Sequence, residues 1–203
     1  LSCKPTRPCL SRRSVIAATA GLAAGLTRSK PAAAQDLADS LPAAGDALNK
    51  IAPVPAPTLN FTNAAGHPLT LDSFSGHGLV VNLWATWCEP CVAELPSFAA
   101  VAPALRRAGI LILPISIDMS GAATVRPFFA SHGITGLPIL LDTSGASLNT
   151  LNAAGIPVSI IINTAGQLVA RYDGAANWNT PGTISTLRDL TGAMPHHDDV
   201  QPV

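Results

Sequence analysis

The stretch Leu79-Val80-Val81-Asn82-Leu83-Trp84-Ala85-Thr86-Trp87-Cys88-Glu89-Pro90-Cys91 sets the fold. Leu79–Trp84 is a nearly continuous apolar run, as expected of a central strand buried on both faces. Beyond Pro90 the period changes. Val92, Leu95, Phe98, Ala99, Ala102 and Leu105 recur every three to four residues, which predicts a helix to about Ala108. Pro96 and Pro103 fall inside it and predict a kink or a break. A strand that turns directly into a helix, with two cysteines at the junction, is the unit from which the rest is read.

On the C-terminal side, strands and helices alternate. Ile110–Ile117 reads as a second buried strand and Ala122–His132 as a second helix closed by Gly133. Pro138–Leu141 and Ala146–Ala153 read as a short strand and a short helix. Val158–Asn163 and Leu168–Tyr172 form a hairpin through Thr164-Ala165-Gly166. Thr180 and Pro181 predict the N-cap and first turn of a last helix to about Leu190. On the N-terminal side, Thr58–Phe61 and Leu69–Leu71 flank a turn at Asn63-Ala64-Ala65-Gly66, a second hairpin. The pattern predicts an α/β domain over 58–191 with a mixed central sheet flanked by helices. Residues 35–57, rich in Ala and Pro, read as a linker with a short helical turn around Asp46–Ile51, and 192–203 as a polar tail.

The neutral composition conceals a division. Twelve Lys and Arg balance twelve Asp and Glu, yet six of the bases and none of the acids precede Gln35. Residues 1–34 show a basic start, an uncharged run at Val15–Leu26, and small residues ending at Ala34, the three parts of an export signal. Ser11-Arg12-Arg13-Ser14-Val15-Ile16 resembles the twin-arginine motif, although Val15 stands where Phe is usual. Export with cleavage after Ala34 is therefore expected, and a periplasmic, oxidising location with it. The chain beyond Ala34 is roughly 170 residues long, enough for one domain with a sizeable core. It is acidic, with six bases against twelve acids, and contains no basic run, so nucleic acid is not an expected partner.

Cys88 and Cys91 are the only cysteines after Ala34. At a helix start, unpaired N–H groups and the positive end of the dipole favour a thiolate at Cys88. The two-residue spacing lets Cys91 close a disulfide back onto it. Cys88 is then the attacking thiolate and Cys91 the resolving thiol. The alternatives are a structural disulfide or half of a zinc site. A four-residue loop gains little from cross-linking, and a zinc site lacks two further ligands. No metal and no other cofactor is expected. His67, His77 and His132 show no ligand spacing, and His196-His197-Asp198-Asp199 reads as solvated tail.

Val80 to Pro96, with Trp84-Ala85-Thr86-Trp87-Cys88-Glu89-Pro90-Cys91 at its centre, resembles the active-site segment of the thioredoxin superfamily, and more closely the TlpA/ResA-like exported thiol–disulfide oxidoreductases. The likeness runs from about Pro57 to Leu190 and implies a thioredoxin-like fold. It makes Gly155-Ile156-Pro157 the family's cis-proline loop, with Ile156 and Pro157 facing the cysteines and binding a client strand. It associates Glu94, three residues after Cys91, with the cysteine pair. A partly buried Glu94 could carry the Cys91 proton, whereas Asn82 stands where cytoplasmic thioredoxins have a titratable Asp. Trp87 would form part of the landing surface. Val158-Ser159 departs from the Thr-rich pair common after the cis-proline.

The function this implies is reduction of client protein disulfides, apocytochrome c or another metalloprotein among them. Electrons would come from a membrane donor, and the protein is expected to act as a monomer. A disulfide oxidase or isomerase is the first alternative, although their usual CPHC and CGYC dipeptides are absent. A copper-binding chaperone using the two thiolates is the second.

Overall fold

In a computed structural model, which describes residue 38 and residues 40–194, eight strands form one sheet in the order β1-β8-β7-β4-β5-β6-β2-β3. The centre is β4 (Gly78–Trp84), parallel to β5 (Ile110–Ser116) on one side and antiparallel to β7 (Val158–Ile162) on the other. Every residue of β4 is buried, as its apolar run predicts. Alternation sorts its side chains. Val80 and Trp84 join the core beneath α2 (Glu89–Arg107), while Leu79, Val81 and Leu83 join the core on the opposite face. Asn82 shares the α2 face, which matters for the site below.

The remaining elements confirm the mixed α/β reading. They are β2 (Phe61–Asn63) and β3 (Pro68–Leu69), a hairpin; α3 (Ala122–His132); β6 (Leu140–Leu141) and α4 (Ala146–Thr150), the inserted pair; β8 (Gln167–Asp173); and α5 (Thr183–Thr191). The N-terminal hairpin packs its strand β2 against β6 and so extends the sheet beyond the insertion.

Three expectations need correction. The segment expected to be a linker is ordered: α1 (Ala44–Ala47) buries Ala44, and β1 (Asn49–Pro55) pairs antiparallel with the outer edge of β8. All seven β1 side chains are exposed, so the strand is held through its backbone and leaves no apolar periodicity to read. Pro53 sits within the register irregularity between Lys50 and Val54, and Pro55 at the strand end, where a missing N–H is tolerated on an edge. Second, of the kink or break expected at Pro96 and Pro103, no break occurs, and α2 runs continuously from Glu89 to Arg107. An internal proline costs a helix about 3 kcal/mol. Here that cost is offset by a full apolar face, with Leu95, Phe98, Val101, Ala102 and Leu105 all buried, each large side chain being worth about 2–5 kcal/mol on truncation. Third, α5 begins at Thr183 after the αL residue Gly182, not after Thr180. The Thr180 hydroxyl bonds instead to that of Thr183 at 2.7 Å.

No helix among the described residues is long and apolar enough to cross a membrane. The expected export signal and all but the start of the expected tail lie outside those residues.

Candidate active site

β4 ends at Trp84, and α2 begins at Glu89 after four intervening residues. Cys88 is the N-cap of α2 and Pro90 lies in its first turn, where a missing N–H costs nothing. Cys88 and Cys91 form a disulfide with their Cα atoms 5.2 Å apart. The Cys91 N–H donates to Cys88 Sγ at 3.3 Å. That bond strengthens when the sulfur carries the charge of a thiolate. Cys91 is fully buried and Cys88 retains a small opening to solvent, 6%. An incoming group can therefore reach Cys88 and not Cys91.

The Ile156–Pro157 peptide bond is cis, and it brings the Ile156 carbonyl oxygen to 3.7 Å from Cys88 Sγ. In the disulfide this is a contact. In the dithiol form the Cys88 S–H gains an acceptor there. Trp87 is 69% exposed beside the cysteine. Sequence-predicted Cys88, Cys91, Ile156, Pro157 and Trp87 thus meet at the carboxyl end of β4.

Glu94 is fully buried. One carboxylate oxygen accepts from Asn82 Nδ2 at 2.8 Å. The other accepts from the Ala176 N–H at 3.1 Å and from Trp178 Nε1 at 3.3 Å. Burial raises its pKa from 4.5 to about 7, and the three donors oppose part of that rise by favouring the charged form. The carboxyl expected to be partly buried one turn beyond Cys91 is fully buried. Asn82 also donates to Ser159 Oγ at 3.0 Å, linking Glu94 to the strand that follows the cis-proline. Its own Oδ1 has no partner among the described residues.

Two groups of residues were not anticipated. Asp118, 5% exposed, accepts from the Thr86 N–H at 3.0 Å and the Thr86 hydroxyl at 2.7 Å. It also accepts from the Ser116 hydroxyl at 2.8 Å. It therefore pins the turn that carries Trp87 and Cys88. A lone carboxylate directly after a buried strand was the available signal. Trp178, whose backbone N–H is held by Ser97 Oγ and whose ring stacks on Phe98, reaches Glu94 from a loop remote in sequence. Nothing local marks that contact.

Fold and site together define a thioredoxin-like protein with a single reactive dithiol among its described residues. Its profile match runs over residues 53–171, and the chain belongs to the AhpC/TSA family. Over 62 residues, or 30% of the chain, it is 34% identical to the thiol-disulfide oxidoreductase ResA of Geobacillus kaustophilus, spanning 36% of that relative's length. Over a longer alignment it is 27% identical to ResA of Bacillus cereus, covering 59% of the chain and 68% of the relative. The chain thus spans about a third of the length of several curated relatives it matches. A solved thiol:disulfide interchange protein of the thioredoxin family from Chlorobium tepidum superposes with a TM-score of 0.56 at 23% identity. That superposition covers 71% of this chain and all of the other, and it shows the fold.

Proposed function

We propose that the protein is an exported protein-disulfide reductase. The observation that carries this reading is the inequality of the two sulfurs, Cys88 capping a helix beside the Ile156 carbonyl and Cys91 sealed beneath it near a buried Glu94. The thiolate of Cys88 attacks one sulfur of a client disulfide, and the client's other sulfur departs as a thiolate and takes a proton. Cys91 gives its proton to Glu94 and attacks Cys88 Sγ, expelling the second client sulfur. The client has gained two electrons, and the protein is left as the Cys88–Cys91 disulfide. Backbone groups at Ile156 hold the client as an added strand meanwhile.

A dithiol spent in this way in an oxidising compartment needs re-reduction, for which a membrane dithiol donor is the natural source. The leader-like residues 1–34 support a periplasmic location. The resemblance to ResA-like proteins supports clients whose cysteines must be reduced before a cofactor is attached, apocytochrome c among them. Glu94, Trp87, Ile156 and Pro157 are proposed to serve the site in the roles given above.

The test is to trap clients with Cys91→Ala, which stops the cycle at the mixed disulfide, and to identify them by mass spectrometry. The Cys88–Cys91 potential is measured alongside. Recovered client proteins and a potential nearer thioredoxin's roughly −270 mV than the roughly −120 mV of a strong oxidant support reduction. A potential at the oxidant end refutes the direction. An empty trap with Cu(I) held stoichiometrically by the unmodified protein refutes the reading altogether.

A further inference from the structure

A groove opens on the flank of Cys88 that carries Trp87. It is lined by Thr86, Trp87 and Glu89 from the active-site turn, Val92 from α2, and Phe128 and His132 from α3. Its volume is about 340 Å³, at the small end of the roughly 300–1,000 Å³ typical of ligand sites, so it suits a side chain.

The lining has a definite chemistry. Val92, Phe128 and the indole of Trp87 give an apolar, aromatic wall, and Phe128 stacks on His132 with ring centroids 3.9 Å apart. Glu89, exposed between the two cysteines, supplies a carboxylate at the mouth. Beneath Thr86 lies the carboxylate of Asp118. The six bases after Ala34 are Lys50, Arg106, Arg107, Arg126, Arg171 and Arg188, and none of them lines the groove. Arg126, on the same helix as Phe128, is turned away to donate to the Ala64 carbonyl at 2.8 Å. Aromatic faces next to an unneutralised carboxylate favour a cation on an aliphatic stem. The stem of Lys or Arg covers apolar wall while its head stays with the carboxylate and the ring faces.

We infer that this groove selects clients, taking a Lys or Arg side chain that lies within a few residues of the disulfide being reduced. The inference rests on the reductase reading and adds a substrate class to it. The groove lies beside the reactive cysteine, since two of its lining residues, Trp87 and Glu89, flank Cys88 in the chain. A basic residue seated there orients the client sulfur towards Cys88 before exchange.

The test uses disulfide-bridged peptides identical except at one position two residues from the reactive cysteine, which is Lys, Met or Glu. Pre-reduced protein is mixed with an excess of each peptide, and the second-order rate constant for oxidation of its dithiol is read. The expected order is Lys above Met above Glu. An exposed ion pair and a cation–π contact together favour Lys over Glu by about tenfold at low salt, and the ratio falls towards unity at high salt. Glu89→Lys alters the cysteine environment as well, so the readout is the ratio between peptides within that variant, which inverts. Val92→Arg, which supplies its own cation to the groove, removes the preference for Lys. Equal rates for all three peptides, or a preference that both variants leave unchanged, overturns the groove proposal and leaves the reductase reading standing. No reduction of any peptide by a folded, alkylatable dithiol overturns both. Sedimentation of the same proteins tests a second copy as occupant, and a dimer abolished by Val92→Arg overturns the client assignment.

Discussion

Replacing Glu94 by Gln asks how much stability the protein forgoes to keep a carboxyl beneath its cysteines. The carboxamide matches the carboxylate in shape. Its oxygen takes over the bonds from the Ala176 N–H and Trp178 Nε1. Its amino group then faces Asn82, whose Oδ1 lacks a partner among the described residues. Rotation of the Asn82 amide turns that oxygen towards both Gln and the Ser159 hydroxyl, so the network closes again. What is lost is the charge. In the wild type the pKa lies at about 7 when folded against an ordinary 4.5, with desolvation as the main cause. Between those values the folded protein holds a proton that the unfolded chain has released. Stability is therefore full below about pH 4.5, falls as pH rises, and levels off above about 7. At about 1.36 kcal/mol per pH unit, this one group removes about 3 kcal/mol across the window. Urea unfolding of the oxidised protein, with the disulfide intact on both sides of the transition, measures it. The wild type should lose about 2–3 kcal/mol relative to Glu94→Gln on going from about pH 5 to about pH 8. Parallel stability curves for the two proteins across that range would refute the assignment of a protonated, buried Glu94.

Trp178→Phe keeps the stack on Phe98 but removes one donor to the ionised carboxylate, so the Glu94 titration should move to higher pH. Carboxyl-carbon NMR would read the shift, and an unmoved midpoint would show that Trp178 does not tune the group. Asp118→Ala strands the Thr86 N–H and hydroxyl and the Ser116 hydroxyl. The expected cost is about 2–4 kcal/mol, read by thermal unfolding, with a larger loss in exchange rate than stability alone explains. Asp118→Asn, which retains one acceptor, should recover part of both. Trp87→Ala should leave stability within about 0.5 kcal/mol because the ring is largely exposed, yet raise KM for client disulfides. An unchanged KM would remove Trp87 from the landing surface.

How far the chain can be read in advance depends on the range of the forces involved. The β4 run and the spacing along α2 are local patterns, so the strand, the helix and the cysteine turn between them are legible from one stretch. The unbroken passage of α2 through Pro96 and Pro103 is not, because a tertiary apolar face outweighs a local backbone penalty. β1 escaped for the opposite reason. Its side chains touch solvent, and the ladder to β8 is made by backbone groups that every residue carries. At the site, Glu94 could be named because the family resemblance associates a Glu at its place with the cysteine pair. Its burial depends on Ala176 and Trp178, more than eighty residues away, and one of those contacts is a main-chain N–H that no residue type announces. Asp118 stood in plain view, but a single carboxylate after a strand has too many possible uses to be assigned without its partners.

The placement of the buried carboxylate also bears on why Asn82 stands on β4. Asn82 and Glu94 face each other across the same interior space. Two carboxyls there could not both ionise at modest separation in a desolvated site, so an acid at position 82 would push one of the pair to hold its proton well above neutral pH. With an amide on the strand, the helix carboxyl has no second carboxyl beside it at that position, and burial raises its pKa to about 7. The amide also donates to Glu94 Oε1 and to Ser159 Oγ at once, which ties the buried carboxyl to the strand that follows the cis-proline. Asn82→Asp is therefore the decisive exchange. It should shift the Glu94 titration upward, split it into two coupled steps, and slow release of the client from the mixed disulfide at neutral pH. A single unshifted titration in that variant would mean the two side chains do not share one electrostatic site.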